Sequence, residues 1–148
     1  MKKIIFLDFD GVITTYKSKW KLDQEKLDLL KEILDATNSE IVISSSWRHY
    51  DLPSTIKFIT EPSYFVPFPF PFCDKIIGIT KKLKNRSRGE EIDLYLKENL
   101  KDLRYNYIIL DDNNDMLKCQ QKNFILTDCD DGLCKEDVEK AISMLNKD

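Results

Sequence analysis

Short unbroken apolar runs alternate with amphipathic stretches along this chain, and the alternation predicts an α/β fold. Residues 4–7 (Ile-Ile-Phe-Leu), 41–43 (Ile-Val-Ile), 107–110 (Tyr-Ile-Ile-Leu) and 124–126 (Phe-Ile-Leu) are rich in β-branched and aromatic residues. Runs of this kind suit parallel strands covered on both faces. A fifth candidate, Lys75-Ile76-Ile77-Gly78-Ile79-Thr80, is weaker because Gly78 interrupts it. Between the runs, Leu27, Leu30, Ile33 and Leu34 recur at helical spacing and form one apolar stripe. Asp23 is placed to cap that helix, and Leu22 to staple onto Leu27. Ile92, Tyr95, Leu96 and Leu100 make a second stripe, and Val138, Ala141, Ile142 and Leu145 a third. Strands alternating with helices predict a single Rossmann-like α/β domain over residues 1–148, with a parallel sheet and right-handed crossovers.

One segment departs from the pattern. In residues 61–73, Pro67, Pro69 and Pro71 exclude regular helix and favour extended, polyproline-like chain. The interleaved Phe68, Phe70 and Phe72 read first as core packing, with a substrate-facing wall or a partner surface as alternatives.

Composition narrows the class without naming it. At 148 residues the chain suits one core, and 42% hydrophobic with 33% charged residues argues against wholesale disorder. A formal charge of −3 provides no global basic field, so nucleic-acid binding is not favoured and would rest on a local patch. The basic run at 81–88 is such a patch, although a solvated face is the plainer reading. No apolar run is long enough to span a bilayer, so no membrane partner is expected. Met1-Lys2-Lys3 and its four-residue apolar run resemble a signal peptide only superficially, since the run stops at Asp8; a buried strand and a cytoplasmic location are expected. Cys73, Cys119, Cys129 and Cys134 match no common disulfide or zinc spacing, and are expected to be reduced packing residues.

In an open parallel sheet, ligands bind beyond the carboxyl ends of the strands. The first run is followed by Asp8-Phe9-Asp10-Gly11, the second by Ser44-Ser45-Ser46-Trp47-Arg48, and that at 107–110 by Asp111-Asp112-Asn113-Asn114-Asp115. Asp8 and Asp10 stand two apart, so in extended chain both project to the same side. Paired carboxylates call for a cation between them or a proton on one. With Asp111, and Asp112 or Asp115, they make a set of hard oxygen ligands suited to Mg²⁺. Asp128, Asp130 and Asp131 read as a solvated loop, Trp47 as half-buried packing and His49, the only histidine, as a surface residue.

The Asp8-Phe9-Asp10-Gly11-Val12 sequence resembles the first motif of the haloacid dehalogenase superfamily in its phosphatase form. Ser44-Ser45 after Ile41-Val42-Ile43 is similar to the second motif, and Leu110-Asp111-Asp112-Asn113-Asn114-Asp115 to the acidic fourth. More narrowly, Ser-Ser-Trp-Arg at 45–48, Arg88-Gly89-Glu90-Glu91-Ile92 and Asp131-Gly132-Leu133 resemble the small domain of this type found in Swiss army knife RNA-repair proteins. The resemblance implies that Asp8 attacks phosphorus, that Asp10 is the acid and then the base, and that Ser45, or else Ser44, binds phosphoryl oxygens. It implies that Asp8, the Asp10 backbone carbonyl and Asp111 hold Mg²⁺, with Asp112 or Asp115 assisting. The superfamily's third motif supplies a lysine or arginine, for which residues 81–88 offer five candidates. Arg88 is favoured because it opens the helix leading to the 107–110 strand.

These readings converge on a Mg²⁺-dependent phosphomonoesterase without a full cap domain, since few residues separate the first strand from the Leu27 helix. Its substrate would be a phosphorylated small molecule or nucleic-acid end. A catalytically idle binding module of the same fold is the alternative.

Overall fold

Every predicted apolar run forms a strand in the computed structural model, which describes residues 1–147. β1 (Lys2–Leu7), β2 (Glu40–Ile43), β3 (Ile76–Ile79), β4 (Tyr105–Asp111) and β5 (Phe124–Leu126) build one sheet in the order β3-β2-β1-β4-β5. All its pairings are parallel. β1 takes the centre because it is the run that both layers can cover: Ile4, Ile5, Phe6 and Leu7 are all fully buried.

Alternation along β1 divides the core in two. Ile5 and Leu7 join Leu27, Leu30 and Ile33 of α1 (Gln24–Thr37) and Val138, Ala141 and Leu145 of α4 (Lys135–Leu145). Ile4 and Phe6 instead join Ile92 and Leu96 of α3 (Arg88–Asn99) on the opposite face. Burying each of these large side chains contributes about 1.5–3 kcal/mol, so packing rather than propensity holds the helices to the sheet. α1 starts where its cap predicts: the Asp23 carboxylate accepts from Glu25 N at 3.0 Å. It ends at Asn38, in the left-handed region with φ 53°, whose N–H donates to Leu34 O.

Gly78 does not weaken β3 but makes room on it. A Cβ there would lie 2.6 Å from Tyr95 Oη, and the Tyr95 ring also packs edge-on against Phe6. The sequence pattern overlooks α2 (Leu52–Thr60), a nine-residue helix capped by Asp51, whose carboxylate accepts from Ser54 N at 2.8 Å. Its Ile59 carbonyl accepts from Phe70 N at 2.9 Å and so ties down the proline-rich segment. Phe70 is buried, with Phe68 and Phe72 packed partly against the same core, as the packing reading expects. Tyr64 and Phe65 at the head of that segment stay exposed.

The cysteines need a correction. All four are free, but Cys119, Cys129 and Cys134 are exposed and only Cys73 is partly covered, so they are not core packing residues. Each of the three sits in a connecting segment or at a helix boundary, outside the apolar stripes. No helix is long and apolar enough to cross a membrane among the described residues. No cap domain stands over the carboxyl edge of the sheet among them either; β1 and α1 are joined by a succession of turns.

Gly78→Ala should destabilise the fold by about 1–3 kcal/mol, because Tyr95 cannot yield without losing its place on Phe6. Urea unfolding measures this, and an unchanged midpoint would show that the ring relaxes freely.

Candidate active site

The parallel ladder runs one residue beyond the strands. Asp8 N donates to Leu110 O, Ser44 N to Leu7 O and Thr80 N to Ile43 O, each at 3.0 Å, and Thr127 N to Asp111 O at 2.9 Å. Thr80, Ser44, Asp8, Asp111 and Thr127 therefore form a row across the carboxyl edge, every one of them buried. This row is the floor of the site, and its positions are set by backbone hydrogen bonds rather than by loops.

Asp8 and Asp111 stand side by side on it, and Asp112 reaches in from above. Carboxylate oxygens of the three lie within 4.8 Å of one another. Gly11 permits that approach: its φ is +80°, and a Cβ on it would come within 2.1 Å of Asp112 Oδ2. Burial pushes the Asp8 carboxyl up to about 8, with Asp111 adding to the rise and the Arg88 guanidinium opposing it. Burial also lifts Asp111, to about 6, again against Arg88. Three carboxylates thus face one guanidinium. Such an oxygen-only, mutually repelling set fits a hard divalent cation such as Mg²⁺.

Arg88 is the first residue of α3, and several contacts aim it. Ser87 caps the helix in a reciprocal box with Glu90. Asp115 accepts from Arg88 N at 3.0 Å through its carboxylate and from Gly89 N at 2.9 Å through its carbonyl. The Arg88 Nη1 then donates to Asp111 Oδ2 at 3.0 Å and lies 3.5 Å from Asp8 Oδ1. Behind it Glu91, itself buried, takes Arg48 Nη1 at 3.1 Å and Leu83 N at 2.8 Å, with Arg88 Nε at 3.7 Å. Arg48 also donates to the Thr80 hydroxyl, which closes the network onto the strand-end row.

Asp10 leaves the cluster. The chain turns after Phe9, whose carbonyl accepts from Ile13 N at 2.9 Å, so the expected pairing of Asp8 and Asp10 on one side of extended chain does not form. The Asp10 Oδ1 instead accepts from Trp47 Nε1 at 3.0 Å and Thr14 Oγ1 at 2.8 Å. Ser45 Oγ accepts from Trp47 N at 3.1 Å and helps to hold the Asp8 carboxyl down, whereas the buried Ser44 Oγ has no partner. The acidic cluster has a basic recess of about 220 Å³ on one side, lined by Arg48, Lys82, Arg86 and Arg88. On the other side, by Asp10, lies a cleft of about 660 Å³ with aromatic walls.

Of the residues singled out by sequence, the structure brings together Asp8, Asp111, Asp112 and Arg88, with Ser44 and Ser45 on the adjoining strand end and Asp10 at the margin. Asp115 braces Arg88 instead of joining the acidic group. Glu91 and Trp20 went unnoticed. Glu91 lies among the buried positions of α3, which is the signal that a charged residue there has a partner.

A family model described as the HAD domain in Swiss Army Knife RNA repair proteins matches residues 4–138. No curated protein and no solved structure is significantly similar to the chain.

Two outcomes follow from this electrostatic arrangement. Without a metal ion, Asp8 and Asp111 hold protons more tightly in the folded chain than at the ordinary 3.8, so their contribution to stability is full in acid. It is lost as pH rises from about 4 through about 8. Asp8→Asn should flatten that decline and melt above wild type at pH about 8 in EDTA; a wild-type stability that rose across the interval would refute the raised values. Glu91→Ala should cost about 3–5 kcal/mol in chemical denaturation, because the Arg48 side chain, only 5% exposed, loses its carboxylate.

Proposed function

This chain belongs to the family of HAD domains in Swiss Army Knife RNA repair proteins, and we propose that it is a Mg²⁺-dependent phosphomonoesterase with Asp8 as nucleophile. The superfamily is one of hydrolases and phosphatases. The observation that carries the finer reading is the convergence of Asp8, Asp111 and Asp112 beside Arg88 at the carboxyl end of the central strands.

An Asp8 carboxylate oxygen attacks phosphorus, and an aspartyl-phosphate forms as the bond to the leaving oxygen breaks. Asp10 protonates that oxygen and later takes a proton from the water that hydrolyses the aspartyl-phosphate. Both donors to Asp10, from Trp47 and Thr14, fall on Oδ1, so Oδ2 is the oxygen left to carry the proton. Arg88 and the Ser45 hydroxyl bind phosphoryl oxygens, where charge spreads in the transition state. The Ser44 hydroxyl, buried and unpartnered, is the alternative donor. Asp8, Asp111 and Asp112, with the Asp10 backbone carbonyl, would hold Mg²⁺. When bound, the ion supplies the positive charge that keeps Asp8 ionised and shields it from the anionic ester.

The uncapped carboxyl edge admits a bulky ester. RNA repair, in the description of the family's proteins, supports a phosphorylated nucleic-acid end as substrate beside small phosphate esters.

Hydrolysis of an aryl phosphate should require Mg²⁺, stop in EDTA and be abolished by Asp8→Asn. Asp10→Asn should lower kcat by about 10²–10⁴-fold. Turnover that survives Asp8→Asn would defeat the assignment. So would a chain that neither turns over phosphate esters nor gains thermal stability from Mg²⁺, which would leave the binding-module reading.

A further inference from the structure

The aromatic cleft adjoins the acidic cluster through Asp112, which belongs to both, and Asp10 lines it. On the phosphomonoesterase reading, on which this inference rests, the oxygen that Asp10 protonates departs along this cleft. What departs has to suit walls made by Trp20, Trp47, Phe58, Phe65 and His49. The volume of about 660 Å³ is far more than a phenyl group fills and suits a nucleoside.

Two of these rings are not there for the core. Trp47 and Phe58 pack against the main hydrophobic cluster, but Trp20 and Phe65 belong to neither cluster, and Phe65 is 41% exposed. Trp20 is also held in a costly conformation, with φ 63° directly after Lys19 at φ 56°. A bulky aromatic residue in the left-handed region is rare and persists only where its surroundings impose it. Here Trp20 N donates to Thr15 O at 2.9 Å, and Thr15 and Ser18 exchange backbone-to-hydroxyl hydrogen bonds at 2.9 and 3.1 Å. Glycine would occupy that turn without strain. An indole held there instead, facing a cleft beside the reactive carboxylates, points to contact with a ligand.

We propose that Trp20 and Phe65 form a leaving-group subsite that stacks the planar base of a phosphorylated nucleoside while its phosphate lies on Asp8. Stacking tolerates any base, since each presents a π face. Ser46, His49 and Arg48 offer polar groups at the cleft wall for the base edge and the sugar. A free nucleotide and the terminal nucleotide of a strand share this chemistry.

The test compares kcat/KM for a nucleoside monophosphate and for ribose 5-phosphate, the same ester without a base, with a phosphorylated tetranucleotide run in parallel to tell the two sources apart. Wild type should prefer the base-bearing esters by about tenfold or more, through KM. Trp20→Gly and Phe65→Ala should each bring that preference towards one. Trp20→Gly should melt no lower than wild type, because it relieves the strain at φ 63°. Equal kcat/KM for the two esters in wild type, or a preference undiminished in both variants, would overturn the subsite while leaving the phosphatase intact. A melting point several degrees lower for Trp20→Gly would also overturn it, by marking Trp20 as a packing residue. If no ester is hydrolysed, the phosphatase reading fails, and Asp8→Asn protein with Mg²⁺ decides the subsite. Saturable quenching of its tryptophan fluorescence by the nucleoside monophosphate, weakened by Phe65→Ala, supports the subsite, and no quenching sinks it.

Discussion

Leu7 and Leu110 are register partners on adjacent parallel strands, so the residue after each is brought opposite the other, and both are aspartates. The sheet thereby buries two like charges against each other at its centre. Much of the remaining site compensates for that placement. Arg88 is brought over the pair by the start of α3, which Ser87 caps and Asp115 clamps. Glu91 steadies Arg88 and is balanced in turn by Arg48, anchored on Thr80. A chain of alternating charges thus runs from the middle of the sheet to the end of β3. Each link is tolerable in the interior because its neighbour is present.

The compensation is incomplete by design of the donor set, since three carboxylates share one nearby guanidinium. A proton or a divalent cation can complete it, and the two alternatives have opposite consequences for Asp8. Protonated, its carboxyl is a poor nucleophile; beside a cation it is an anion poised at the strand end. The same burial that costs the folded chain stability at neutral pH is what makes the site receptive to a metal ion.

Much of this was legible in the sequence because it is local. Parallel strands announce themselves as apolar runs, and the aspartates directly after two of them need no tertiary information to be located. What the runs cannot convey is how far a neighbour lies through space. Asp112 and Asp115 are equivalent as text; they part company because Gly11 admits one and the α3 start engages the other. Asp10 looked like a companion of Asp8 on an assumption of extended chain, which the turn after Phe9 cancels. Nine-residue α2 escaped because so short a helix carries barely two turns of pattern, although Asp51 and Pro53 mark its start. Gly78 looked like an interruption until Tyr95 was seen to lean on it. The left-handed turn at Trp20 leaves no trace in composition or periodicity at all.

The extension of the ladder beyond the strands separates two kinds of change that the domain can absorb over generations. Asp8, Ser44, Thr80, Asp111 and Thr127 are stitched to neighbouring strands, so their positions are inherited from the most invariant part of the architecture. The walls around them come from elsewhere: Trp20 from the β1–α1 connection and Phe65 from the proline-rich segment. Lineages can therefore rewrite those two stretches, altering which molecules are welcomed, without disturbing the reaction carried out on the sheet beneath.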